Sequence, residues 1–141
     1  MNEERFKKFI GYELKEGKWV VPAERLKQYQ TAVGDLRPEY ISNNPISSPA
    51  FTCVLVLEAR KQHVKDVPGL NIDYSKVLHA SQTYEFFKPL KAGVEIVTKS
   101  HFSDIYVKRE KLWIETTIDC YDGDELCVRV INKIVVRKGG F

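Results

Sequence analysis

The stretch AFTCVLVLEARKQHV, residues 50–64, decides the fold, because its first half is apolar and its second half is charged. Ser47 and Ser48, just before it, are good N-cap residues, and Pro49 suits the first turn of a helix. The β-branched residues of the first half also suit a strand, but the cap residues and the charged second half favour a helix. The sequence therefore predicts a helix over 50–64 that is buried at its N-terminal end.

Four runs typical of β-strands follow this segment, and short turns join most of them. The third run alternates apolar and polar residues from Leu112 to Tyr121, and an Asp-Gly pair, a hairpin signal, precedes the fourth run. An antiparallel sheet of such strands needs an apolar element against one face, and the 50–64 helix is the best candidate. The predicted fold class is therefore α+β, with an antiparallel sheet wrapped round a central helix. The four runs are KVLHASQTYEFF (76–87), GVEIVTKSHFSDIYV (93–107), KLWIETTIDCY (111–121) and ELCVRVINKIVVR (125–137).

A long loop lies immediately ahead of the central segment. KWVV, 18–21, predicts a short strand, and a helical pattern then begins at Pro22 and stops at Gly34. The next stretch, GDLRPEYISNNPISSP at 34–49, contains three prolines and several Asn and Ser residues. Long loops inside compact domains are often functional, so this loop is a candidate for a binding or catalytic segment.

Composition excludes several classes of protein. The chain has 141 residues, enough for one domain over 1–141, and a net charge of +3 from 22 basic and 19 acidic residues. This charge is too small and too dispersed for nucleic-acid binding, no apolar run is long enough to span a membrane, and no signal peptide is evident. The 3 cysteines and 3 histidines lack metal-ligand spacing. We therefore expect a cytoplasmic protein with reduced cysteines and without a metal or cofactor.

Three motifs, in this order and spacing, resemble the MaoC-like hot-dog dehydratases. The loop GDLRPEY (34–40) matches the position of a Gly-Asp-x-Asn-Pro-x-His motif, SPAFTCVLVLEA (48–59) resembles the entry into the central hot-dog helix, and VLHASQTYEFFKPLKAGVEI (77–96) resembles a strand that ends at a Pro-x-x-Ala-Gly turn. The resemblance covers roughly residues 5–137 and is strongest to the N-terminal-half type, which includes the HadA subunits of mycobacterial 3-hydroxyacyl-carrier-protein dehydratases. Val94 departs from the pattern, since aspartate commonly follows that Ala-Gly turn.

The resemblance implies an activity and a set of site residues. Catalytic members add water to enoyl thioesters or remove it from 3-hydroxyacyl thioesters, with the aspartate and the histidine of the loop motif as acid and base. In this chain Asp35 keeps the aspartate, Arg37 replaces the asparagine and Tyr40 replaces the histidine. Arg37 has two possible effects: it lowers the pKa of Tyr40, or it neutralises Asp35. Asp35 and Tyr40 are therefore candidate catalytic residues of a degenerate motif.

The same resemblance implies which side chains border the acyl chain. Phe51 and Val54 of the predicted helix are expected in the core, where they also border the acyl group. His79, on the strand that follows, is read as a structural or pocket-lining residue. Phe86 and Phe87, at the end of that strand, are expected in the core.

The loss of the motif histidine favours one function over two alternatives. The preferred function is the non-catalytic, acyl-binding half of an enoyl-CoA hydratase or (3R)-hydroxyacyl-thioester dehydratase, working as a hetero-oligomer with a partner that contains the Asp/His motif. Its ligand would be an acyl-CoA or acyl-carrier-protein thioester. The alternatives are a self-sufficient homodimeric hydratase or thioesterase, and an acyl-thioester-binding protein without turnover.

Overall fold

A five-stranded antiparallel sheet and one long apolar helix form the centre of the fold. The computed structural model describes residues 3–141, and the strand order in the sheet is β1-β3-β4-β5-β2. The helices are α1 (Glu4–Lys7), α2 (Ala23–Val33), α3 (Pro38–Ile41) and α4 (Pro49–Glu58), and the strands are β1 (Gly17–Val20), β2 (Val77–Phe86), β3 (Glu95–Lys108), β4 (Lys111–Asp122) and β5 (Glu125–Val136).

Helix α4 is the apolar element that the sheet covers. Its residues Phe51, Leu55 and Val56 are buried. Burying a Leu, Val or Phe side chain contributes roughly 1.5–3 kcal/mol, so packing, rather than the modest helix propensity of β-branched residues, holds this segment as a helix. The predicted α+β hot-dog fold class is confirmed. The sheet residues of this core are Ile96, Ile118, Cys120, Val128 and Val130.

Strand β4 follows the predicted alternation. Every second residue from Leu112 to Cys120 is buried, and the residues between them are only partly buried. The hairpin that joins β4 to β5 has a two-residue turn, Gly123–Asp124, in which Gly123 has a φ of 58°. Glycine takes this backbone conformation without the steric cost that a side chain imposes. The Asp-Gly signal therefore marked a real hairpin.

Helix α4 is shorter than the sequence predicts. It ends at Glu58, whereas a helix over 50–64 was expected, and His63 lies outside it in a short 3-10 turn. The end is fixed by β1, since a Cβ atom on Gly17 would lie 1.6 Å from the Ala59 carbonyl oxygen. The hydroxyl of Thr98 on β3 also contacts that oxygen, at 3.4 Å. The strands on that side stop the helix, although its charged continuation has a helical pattern.

A second apolar cluster closes the other end of the sheet. Phe6 and Phe9, from the N-terminal segment, are buried there, and Val64 and Leu70, from the segment after α4, pack with them. Ile10, in contrast, is 44% exposed. The N-terminal segment therefore covers the part of the sheet that α4 does not reach.

Strand β2 forms one edge of the sheet and is largely exposed. It pairs with β5 on one side, and no strand among residues 3–141 pairs with its other side. Leu78 is 50% exposed, Phe86 48% and Phe87 55%, so the expectation that the two phenylalanines lie in the core is wrong. Sequence pattern identified the strand but not its position at the edge, which depends on the topology of the whole sheet.

Candidate functional site

A cavity of about 220 Å³ opens beside the N-terminal end of α4. It lies between the 34–49 segment, which contains the one-turn helix α3, and the end of β2. Its walls are mixed, with aromatic rings on the β2 side and hydroxyl groups at the helix end. The lining residues are Tyr40, Ile46, Ser47, Pro49, Thr52, Phe86, Phe87, Lys88 and Pro89.

The first turn of α4, which lies beside this cavity, has no side-chain cap on its backbone amides. Ser48 occupies the N-cap position, as predicted, but its side chain makes no capping hydrogen bond, and its hydroxyl is buried without a partner. Thr52 Oγ1 lies instead 2.8 Å from the Ser48 carbonyl oxygen and 2.7 Å from Ser47 Oγ. Unpaired first-turn amides and the helix dipole favour a polarised oxygen at such a position. The helix end is thus suited to a carbonyl group.

Tyr40 lies in the wall of the cavity. It belongs to α3, is 8% exposed, and lines the space next to the start of α4. The guanidinium of Arg37 stacks over its ring at 4.8 Å from the centroid. This contact is with the ring face and holds Tyr40 in place.

Asp35 is held by Arg37 and does not line the cavity. Arg37 Nη2 donates to Asp35 Oδ2 at 2.7 Å, and Nε donates to Oδ1 at 2.9 Å. Hydrogen bonds from Arg37 lower the pKa of the Asp35 carboxyl, and the same pair raises the pKa of Arg37. Of the two effects expected of Arg37, neutralisation of Asp35 therefore has direct geometric support. A carboxylate held in this way is a weak base.

The three predicted acyl-binding residues lie in three different settings. Phe51 is buried and its ring stacks on Tyr29 at 4.6 Å, so it is a core residue. Val54 is 38% exposed on the outer side of α4, which contradicts its expected place in the core. His79 lies at the start of β2, where its Nε2 is 2.8 Å from Oδ1 of Asn132, and both line a separate cavity beyond the C-terminal end of α4.

No pattern in the sequence predicted several of the residues that line the cavity at the start of α4. Ser47 and Thr52 were interpreted as capping or helix residues, and Phe86 as core, yet all three line the cavity. Lys88, another lining residue, is paired with Glu125 at 2.5 Å. The sequence could not show that Phe86 is exposed at this cavity, because only the sheet topology places the end of β2 beside α4.

Two classes of feature are absent from the described part of the chain. Within residues 3–141, no group of three or more His, Cys, Asp or Glu side chains is placed to hold a metal ion. No helix among these residues is long and apolar enough to cross a membrane.

Comparison with known proteins identifies the family. A family model described as the dehydratase domain region of FAS1-like proteins matches residues 8–126. The chain therefore belongs to the FAS1-like dehydratase domain family. A UPF0336 protein of Streptomyces griseus is 27% identical over an alignment of 127 positions, which covers 83% of this chain and 84% of that protein.

Solved structures share the fold at low identity. The ChsH1-ChsH2 complex from Mycobacterium tuberculosis gives a TM-score of 0.73 at 15% identity and covers 96% of this chain and 95% of the matched chain. The truncated HadBC (3R-hydroxyacyl-ACP dehydratase) complex from the same organism gives 0.73 at 16% identity, with coverages of 90% and 96%. A MaoC-like dehydratase from Rhodospirillum rubrum gives 0.67 at 13% identity, with 94% of each chain covered. The hot-dog fold of MaoC-like dehydratases is thus shared along nearly the whole chain.

Proposed function

We propose that this chain is the non-catalytic, acyl-binding half of a two-chain hydratase or dehydratase that acts on CoA or acyl-carrier-protein thioesters. The observation that carries the proposal is the arrangement of the loop. Asp35 is ion-paired with Arg37, and the residue that reaches the cavity from the motif is a tyrosine. The acid–base pair would then come from a partner subunit.

The chemistry explains why this arrangement favours a non-catalytic role. Removing water from a 3-hydroxyacyl thioester requires one group that takes the proton from C2 and one that protonates the departing hydroxyl. A histidine exchanges protons near neutral pH, whereas an unperturbed tyrosine, with a pKa of about 10, does not. No histidine among residues 3–141 lines the cavity at the start of α4. Asp35 and Tyr40 together are thus a poor acid–base pair.

The cavity nevertheless has the features of an acyl-thioester site. The uncapped N-terminal end of α4 beside the cavity suits the thioester carbonyl, and Phe86 and Phe87 offer apolar surface to the first carbons of the acyl chain. Val54, exposed on the outer side of α4, is available to a longer chain, whereas the buried Phe51 supports the helix from behind. His79 is too remote in the fold to share this cavity, so its role there is structural.

Pairing with a partner chain is supported by the free edge of β2. Ten residues of this strand have an unpaired edge, and apolar side chains on it are about half exposed. An edge of this kind is usually covered. Two of the structures with the same fold are complexes of two different chains. We place the complex in the cytoplasm, with the thioester as its ligand and without a cofactor.

Enoyl-CoA hydration tests the proposal directly. Crotonyl-CoA is supplied to the purified chain, to a family member from the same organism that has the intact Asp-x-Asn-Pro-x-His motif, and to the mixture of both. We expect hydration by the mixture to exceed that of either chain alone, and the purified chain by itself to be inactive. Hydration by this chain alone that is lost in Tyr40→Phe would instead make it a self-sufficient hydratase.

The remaining alternatives give different results in the same assay. Release of free CoA without hydration would identify a thioesterase. Tight binding of the thioester, without turnover and without any partner, would identify an acyl-thioester-binding protein. Either result would contradict the proposed two-chain enzyme.

A further inference from the structure

The outer side of α4 and the adjacent side of β2 form one surface, which we call the pairing face. On the helix side it consists of Cys53, Val54 and Leu57 of α4 and of Arg60, two residues beyond the helix end. On the sheet side it consists of Gln82 and Tyr84 of β2. A cavity of about 350 Å³ opens on it beyond the C-terminal end of α4, bordered by Leu57, Arg60 and Gln82. The face is continuous with the free edge of β2, where the proposed function places a partner chain.

Arg60 is a half-buried cation on this face without a carboxylate partner. Within residues 3–141, no Asp or Glu oxygen lies within 4 Å of its guanidinium. Within the same residues, its side chain makes a single, long hydrogen bond, from Nε to the Leu57 carbonyl oxygen at 3.4 Å. Burial lowers the pKa of Arg60, and only Tyr74 and Tyr84 oppose this effect. A desolvated guanidinium is costly unless an anion accepts its hydrogen bonds.

The carboxylates that border the face are already engaged. Glu58 accepts two hydrogen bonds from Arg25, at 2.7 and 3.0 Å. Asp66 accepts from the backbone amide of His63. Asp73, just before Tyr74, accepts from the Ser75 hydroxyl at 2.6 Å. Each of these carboxylates therefore already has a hydrogen-bond partner within the chain.

The only acidic residue of β2 points away from the face. Glu85 is opposite Arg129 on β5, and Arg129 donates to Asp119, which raises the pKa of the arginine. The residues of β2 that face α4 are uncharged or basic: Val77, His79, Gln82, Tyr84 and Phe86. The pairing face therefore carries positive charge and no free carboxylate.

We infer that Arg60 selects a non-identical partner, one whose facing surface places a carboxylate against this guanidinium. The inference rests on the proposed two-chain enzyme and names the chemistry of its second chain. A symmetric dimer of this chain would bring two copies of the same face together, and each copy would leave Arg60 buried without an anion. A buried charge left unpaired at an interface costs several-fold to many-fold in affinity, so self-pairing is disfavoured and pairing with an acidic face is favoured.

The test compares Arg60→Leu with a matched control, Lys108→Leu. Lys108 is an exposed cation at the end of β3, away from the pairing face, so its replacement removes the same charge and adds the same apolar surface. Each variant is studied by sedimentation velocity, alone and mixed with the Asp/His-containing family member, and decanoyl-CoA binding is measured by calorimetry. Arg60→Lys, which keeps the charge, and the Tm of each variant control for folding.

We expect Arg60→Leu to pair with the acidic partner at least about tenfold more weakly and to self-associate more tightly, since the unpaired charge is gone. Arg60→Lys should retain part of the pairing, and Lys108→Leu all of it. Unchanged association of Arg60→Leu in both experiments would overturn the inference while leaving the active mixed complex, and hence the proposed function, intact.

Two further outcomes would also overturn it. If Arg60→Leu loses only decanoyl-CoA affinity, the guanidinium serves a ligand and not a partner chain. If the wild-type chain alone forms a homodimer as tight as that of Arg60→Leu, the charge does not select against self-pairing. Failure of the wild-type chain to bind the Asp/His-containing member at all would instead contradict the proposed function itself.

Discussion

Arg37 stands between the two side chains that a working loop would use. One side of its guanidinium holds both oxygens of Asp35, and its face covers the ring of Tyr40. Sequence alone identified all three residues, but it left open which of the two neighbours Arg37 would affect. The fork geometry of guanidinium favours a bidentate carboxylate, and two residues of spacing are enough for the side chains to meet. Arg37 thus engages both of the candidate catalytic residues, one through an ion pair and one through its ring.

The pKa of Asp35 should depend on Arg37. In the folded chain, hydrogen bonds from Arg37 lower this pKa. The ion pair therefore stabilises the folded state at pH values above the unfolded-state pKa of about 3.9. This stabilisation is lost as the pH falls through the lower pKa of the folded state. We expect Arg37→Asn to raise the pKa of Asp35, measured by ¹³C NMR titration of the carboxyl. Glu58, whose pKa is lowered by Arg25, is the internal control and should not move. An unchanged pKa of Asp35 would show that the pair does not persist in solution.

Among the elements, β1 has an effect larger than its four residues suggest. Gly17 brings its backbone against the carbonyl end of α4, and this contact ends the helix at Glu58. The pattern of the sequence predicted both the strand and the helix, but not where the helix ends. That boundary depends on a contact between residues 42 positions apart in the chain, Gly17 and Ala59, which no local pattern contains.

Gly17→Ala should therefore destabilise the fold. The added Cβ would meet the Ala59 carbonyl oxygen at 1.6 Å and the Thr98 hydroxyl at 2.7 Å, so β1 or α4 must move. Overpacking of this kind costs about 1–3 kcal/mol or more, and we expect the upper part of that range in urea denaturation. Lys18→Ala, at the next and exposed position of β1, is the control and should change stability little. Equal stability of the two variants would contradict the contact.

The turn of the hairpin between β3 and β4 is strained, and substitution of its two residues should relieve the strain. Its two turn residues, Arg109 and Glu110, have φ values of 51° and 57°, which side-chain-bearing residues adopt at a cost of about 1–2 kcal/mol each. Two-residue turns of this shape favour Asn-Gly. We expect Arg109→Asn combined with Glu110→Gly to raise the unfolding free energy by about 1 kcal/mol, although Glu110 loses its exposed pair with Lys138. Arg109→Ala with Glu110→Ala is the control, and thermal denaturation should show no gain for it.

For the whole molecule, the hydrophobic periodicity and the turn residues predicted the order of the helices and strands. Which side chains are exposed depends on the topology of the sheet, which these patterns do not contain. The alternation in β4 and the turn at Gly123 sufficed to predict a hairpin and a buried face. Phe86 and Phe87 were assigned to the core because they are aromatic, yet they lie at the end of an edge strand and border a cavity. The burial of an aromatic residue depends on the position of its strand in the sheet, and sequence pattern does not give that position.

Thiol labelling reports on the pairing face of the intact molecule. Cys120 and Cys127 are fully buried, whereas Cys53 is partly exposed next to Tyr84. Burial raises the pKa of the Cys53 thiol, so its reactive thiolate form is scarcer at neutral pH and should increase as pH rises. We expect iodoacetamide to modify one cysteine in the native chain and three in denaturant, as counted by mass spectrometry.

Assembly should change that labelling pattern. If the partner chain covers the pairing face, Cys53 becomes protected in the complex, while a thiol that stays equally reactive would place the partner elsewhere. Cys53→Ser provides the background for the native chain.

The free edge of β2 also affects the tendency of the newly synthesised chain to aggregate. Ten residues of unpaired backbone, with Leu78 and Phe86 about half exposed, form a template onto which another extended segment can add. Without a covering chain, this template would stay open during and after synthesis. If the proposed two-chain enzyme is formed, its two chains would need matched amounts, and an excess of this chain would be prone to precipitation and proteolysis.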